Sequence, residues 1–135
     1  MRLIIAIGGI AIALAACSGG SHTETAREAA KRQYEMMAKG QFGRVYDKEL
    51  HPAVQETFSR EDWLAKQGKS LFTIRKVRVI DSYDEPFTFP GGTRTVTAVT
   101  LGLTAGLGAL PSTGDEQTIT IHEELIDGKW RLFQN

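Results

Sequence analysis

Residues 71–104, LFTIRKVRVIDSYDEPFTFPGGTRTVTAVTLGLT, hold the change of period that decides the fold. Upstream of Leu71, apolar residues recur every three or four positions. From Leu71 onward they alternate, and threonine, valine and isoleucine take over, as in half-buried strands. Phe72 and Ile74 stand in one phase, and Val77, Val79 and Tyr83 in the other, so the inward set switches near Arg75 and Lys76. One extra residue flips the pleat, which predicts a β-bulge there. Pro90-Gly91-Gly92 predicts a turn into a second strand with Val99, Leu101 and Leu103 on one side and Thr100, Gly102 and Thr104 on the other.

Working outward, Gly106 to Asp115 reads as a loop. The third strand then places Ile119, Ile121 and Leu125 on one face and Thr118, Thr120, His122 and Glu124 on the opposite one. Asp127-Gly128 is a tight-hairpin signal, with Trp130 and Leu132 continuing beyond it. On the other side of residue 71, Thr25-Ala26-Arg27-Glu28 is a capping box that opens a helix to about Ala38, with Ala26, Ala30, Tyr34 and Met37 on one face. Lys39-Gly40 stops it. Phe42, Val45, Tyr46 and Leu50 form a second, short helix, closed where Pro52 pushes His51 out of the helical region. Ser59-Arg60-Glu61-Asp62 caps a third, with Trp63, Leu64 and Gln67 and a stop at Gly68. Three helices followed by an antiparallel sheet of about four strands define an α+β domain, over residues 24–135.

The front of the chain is of another kind. Arg2 precedes an uncharged apolar run from Leu3 to Ala16, 14 residues against the roughly 20 needed to span a bilayer. This is the layout of a secretory signal. It ends on Leu14-Ala15-Ala16-Cys17, which resembles the lipobox of bacterial lipoproteins and contains the single cysteine of the chain. The resemblance implies that the Cys17 thiol accepts a diacylglyceryl group and that the peptide is cut between Ala16 and Cys17. It also implies that the new amino end can be acylated, with palmitate as one such chain. The alternative is an ordinary signal peptide with a buried free cysteine.

Residues 17–23 are then a lipidated cysteine and a tether. The six residues Ser18 to Thr23 have a coil span of about 13 Å, which keeps the domain close to the bilayer. Cleavage leaves 119 residues, room for one core, with 15 basic against 16 acidic side chains. That balance gives no field to collect nucleic acid. With its one thiol consumed, the domain has no disulfide to rely on.

The order of elements, with AKGQFGRVYDKELHP (38–52), SREDW (59–63) and DGKWRLF (127–133), is similar to the nuclear transport factor 2-like, or cystatin-like, superfamily. The resemblance spans about Thr23 to Asn135 and is nearest to small envelope lipoproteins. It implies a curved sheet wrapping the helices around a cone-shaped cavity. Enzymes of that superfamily use a pocket Asp or His with tyrosines, and here Tyr34, Tyr46 and Tyr83, with Asp47, Asp81 and His122, are the corresponding residue types. Tyr34, Tyr46, Trp63 and Tyr83 are the candidate pocket residues, although aromatics at helical spacing also fill cores.

The phase of His122 points it away from a helix-covered cavity and makes it a surface histidine. No His/Cys/carboxylate spacing suits zinc, and no cofactor motif is present. Arg75, Lys76 and Arg78 lack the interleaved aromatics of a single-strand binder and read as a solvated face. The expectation is a non-catalytic lipoprotein on the outer side of the cytoplasmic membrane, or on the outer membrane where a host has two. It is held there through diacylglyceryl-Cys17 and binds an envelope protein or a small apolar ligand. Two other readings remain: an isomerase- or dehydratase-like enzyme, and a homodimer formed through the sheet face bearing Thr118, Thr120 and His122.

Overall fold

A computed structural model of the chain describes residues 23–68, 72–107 and 116–134. The signal run, the lipobox with Cys17, and the tether up to His22 lie outside them, as does the loop between 108 and 115.

Helix α1 (Ala26–Ala38) starts at the capping box: Thr25 takes the Glu28 amide on its side chain while the Glu28 carboxylate accepts from the Thr25 amide. It stops at Lys39, followed by Gly40 at φ +78°. Helix α2 (Phe42–Lys48) follows. Among the described residues four helices form where three were expected. Pro52 does not simply end α2; it opens a further helix, α3 (Pro52–Thr57), from its first position, where a missing N–H costs nothing. His51 is extended as expected, at φ −65° and ψ 141°, and its Nδ1 accepts from the Ala53 amide and so caps α3. Helix α4 (Arg60–Gly68) carries Ser59 as a side-chain cap on the Asp62 amide.

Strands β1 (Phe72–Phe89), β2 (Gly92–Leu107), β3 (Glu116–Ile126) and β4 (Lys129–Phe133) form one antiparallel sheet in chain order. The domain is thus α+β with a curved sheet, which curls into a half-barrel. The β1–β2 register slips between Ile74 and Lys76, at the expected bulge, and a second time between Val79 and Asp81. Asp127 and Gly128 both take positive φ, 50° and 79°, in the two-residue turn between β3 and β4. Gly106 and Leu107, expected in the loop, extend β2 instead. The free side of β4 is covered by residues 49–51, where the Leu132 amide donates to Glu49 O and the His51 amide to Leu132 O, both at 2.8 Å.

The core lies between the helices and one face of the sheet. Trp63, Leu50, Leu101 and Leu132 are fully buried there, with Val45, Val99 and Tyr46 against them. Gln134 closes the assembly: its carbonyl accepts from Trp63 Nε1 at 2.8 Å, and its side chain accepts from the Tyr34 hydroxyl at 2.5 Å.

Candidate functional site

Register assigns the other sheet face. Glu85, Val96 and Ala98 stand there with His122, Glu124 and Phe133, since Ala98 pairs with His122 and His122 with Phe133. Val96 and Ala98 are buried although they point away from the main core. An aromatic cluster forms where β1 ends. Phe87 stacks on the His122 ring at 4.0 Å, Phe133 stacks on His51 at 4.0 Å, and Phe89 packs against both Phe133 and His51. Face-offset and edge contacts of this kind suit the ring quadrupoles.

Each histidine in the cluster is paired with a carboxylate. His51 Nε2 lies 2.7 Å from Glu124 Oε1, which Arg94 also approaches at 3.2 Å. His122 Nε2 lies 2.7 Å from Glu85 Oε2. The two pairs are not equivalent. His51 is 3% exposed and has both ring nitrogens engaged, Nδ1 as the cap acceptor and Nε2 on Glu124. Burial lowers its pKa below the ordinary 6.5, more than the Glu124 bond raises it. A protonated ring would carry a hydrogen on Nδ1, opposite the Ala53 N–H, so the geometry favours the neutral form as well. His122 is 18% exposed and has one nitrogen engaged.

Between this cluster and α3 lies a cleft of about 360 Å³. Phe58, Phe87, Phe89 and Phe133 supply its rings, Val54 and Ile121 add aliphatic wall, and His122 and Gln134 bring polar groups. Polar and apolar groups share its surface about evenly, and its volume is at the small end of the usual range of about 300–1,000 Å³ for small-molecule sites.

None of the expected pocket residues lines this cleft. Tyr34, Tyr46 and Trp63 are core residues with satisfied polar ends: the Tyr46 hydroxyl donates to Phe58 O at 2.6 Å, while Tyr34 and Trp63 both bond Gln134. Tyr83 is 46% exposed on β1. Asp47 is an ion-pair partner of Arg60, and Asp81 accepts from the Ser82 amide. His122 does face away from the helix-covered side, but the expectation of a plain surface position is corrected by the curl of β1, which lays Phe87 over it. Arg78 of the basic cluster pairs with Glu116.

A second polar centre lies on the helix side of the sheet and was missed in the sequence. Glu123 follows Ile119 and Ile121 in the inward phase and is fully buried, with neither carboxylate oxygen hydrogen-bonded. Gln33 is fully buried beside it; its Oε1 also lacks a donor, while its Nε2 donates to Glu49 and Trp130 O. Burial drives the Glu123 pKa well above its ordinary 4.5. Tyr34 is pushed upward by burial and by the Glu123 charge. Arg32 is held in its charged form by Glu24 and Glu49.

The described residues contain no group of three or more metal-ligating side chains and no helix long and apolar enough to cross a membrane. The fold and the site therefore define an α+β domain with an aromatic cleft. A scan against family models and searches of curated proteins and solved structures found no match to this chain.

Proposed function

We propose that this chain is a lipid-anchored envelope protein of the nuclear transport factor 2-like type. It carries a non-catalytic binding domain for a small apolar ligand, held at the outer face of a membrane through Cys17. The cleft between α3 and the end of β1 carries the binding reading. Four phenylalanine rings border it beside a few polar groups, and a concave site of that kind is where small molecules bind. The lipobox Leu14-Ala15-Ala16-Cys17 supports the anchor, since two acyl chains make a membrane hold stable where one does not.

Two measurements test this. Metabolic labelling with an alkyne palmitate tags the wild-type chain and not Cys17→Ser; equal labelling of both removes the anchor. Native mass spectrometry of the chain taken gently from its own host shows a co-purifying mass of small-molecule size. A bare chain that also fails to take up any aromatic probe removes the binding reading and turns attention to an envelope protein partner.

A further inference from the structure

The cleft is selective in its polar chemistry. Thr57, Thr88 and Thr120 on its walls each have a side-chain hydrogen-bond partner, Ala53 O, Thr93 and Thr100 respectively, and the Gln134 side-chain oxygen accepts from the Tyr34 hydroxyl. His122 differs. Its Nε2 faces an acidic oxygen, and an ionised carboxylate only accepts, so in the neutral ring the hydrogen sits on Nε2 and Nδ1 is a bare acceptor. Among the described residues no protein group bonds that Nδ1. His51, built into the same cluster, shows the contrasting case in which both nitrogens are engaged.

Charge and size narrow the ligand further. Among the described residues no lysine or arginine lines the cleft, and Glu85 and Glu124 stand behind its histidine end. Arg94 is engaged with Glu124 and lies over the Phe89 ring, and the Lys66 ammonium lies over Phe58, 5.2 Å from the ring centroid. An anionic group placed at His122 would meet the Glu85 carboxylate that already holds this ring. A volume of about 360 Å³ lies at the small end of the range of about 300–1,000 Å³ for small-molecule sites, which suits a compact ligand better than a long acyl chain.

We propose that the cleft takes a flat, neutral aryl alcohol of that size, its ring among Phe58, Phe87, Phe89 and Phe133 and its hydroxyl donating to His122 Nδ1. This rests on the ligand-binding reading above.

The test compares three probes, 4-propylphenol, propylbenzene and 4-propylbenzoate, by saturation-transfer NMR. It uses the full chain in nanodiscs, with protein-free discs subtracted. The phenol binds roughly three- to tenfold tighter than the hydrocarbon, the value of one net hydrogen bond, and the benzoate binds weakest. His122→Phe, which keeps a ring against Phe87, erases the phenol preference and leaves propylbenzene binding in place. Independently of any variant, the 15N resonance of His122 Nδ1 shifts on adding the phenol and not on adding propylbenzene. Equal affinity for phenol and hydrocarbon, or a benzoate that binds tightest, overturns the aryl-alcohol assignment while leaving a ligand cleft. Failure of all three probes to bind overturns the ligand-binding reading with it.

Discussion

At the scale of the residue, two buried titratable groups, Glu123 and His51, respond to pH in opposite senses. Glu123 has a folded pKa raised above 4.5 by burial, so the fold holds its proton more tightly than the unfolded chain does. The stability tied to that proton is fully present below pH 4.5 and is lost as the pH rises through the folded pKa. Glu123→Gln keeps the shape, removes the ionisation and supplies a permanent donor where two acceptor groups have none. We expect it to stabilise the domain by about 1–3 kcal/mol at pH 8, with the advantage shrinking toward pH 5. Urea midpoints of both proteins at the two pH values check this, and a difference independent of pH would exclude a buried, titrating Glu123. His51 works the other way. Its folded pKa lies below 6.5, so its contribution is present above that pH and is lost as the pH falls through 6.5 toward the folded value. In a variant lacking this imidazole, the loss of stability between pH 7 and pH 5.5 is smaller than in the wild type; an identical loss rules His51 out as its source.

At the scale of the element, α3 is the piece with the least stability of its own. Six residues cannot hold a helix in water, and this one relies on the cap from His51 and on Val54 in the core. His51→Asn retains a side-chain acceptor for the Ala53 amide but loses the stack on Phe133 and the Glu124 bond, whereas His51→Ala loses all three. The alanine variant should be less stable than the asparagine variant by about 1 kcal/mol, the usual worth of an N-cap. Equal melting of the two would mean that the cap contributes nothing. This element was also the one hidden from the sequence, because a proline after a helical pattern reads equally well as a stop or as a first position. The caps of α1 and α4, the bulge at Arg75 and the turn at Asp127-Gly128 were legible because each depends on neighbours within a few residues. Phe87, His51 and His122 come together only through the curl of β1, and local alternation carries no information on which outer-face residues a distant strand end will cover. Glu123 was within reach, as its phase continues that of Ile119 and Ile121. Leu125 shares that phase and is nevertheless 51% exposed, because the sheet ends beside it.

At the scale of the whole molecule, the segment after β4 ties the layers together. Gln134 receives the Tyr34 hydroxyl from α1 and the Trp63 indole from α4, while Trp130 on β4 donates its Nε1 to Glu24 O ahead of α1. Both Gln134 bonds end on groups whose rings are buried, so removing the acceptor strands a donor away from water. The two bonds can be separated. Gln134→Ala loses the side-chain acceptor of Tyr34 and keeps the backbone carbonyl that Trp63 uses. It should cost about 1–3 kcal/mol, the price of one buried donor left without a partner. A chain cut after Phe133 loses both acceptors and should cost more than Gln134→Ala by a similar amount. Its tryptophan fluorescence should also change, because Trp63 Nε1 then lacks its carbonyl. If the cut chain and Gln134→Ala melt together, the Trp63 bond does not hold α4 to the sheet. The helices would then be kept in place by the apolar contacts of Trp63 with Phe42 and Tyr46 alone.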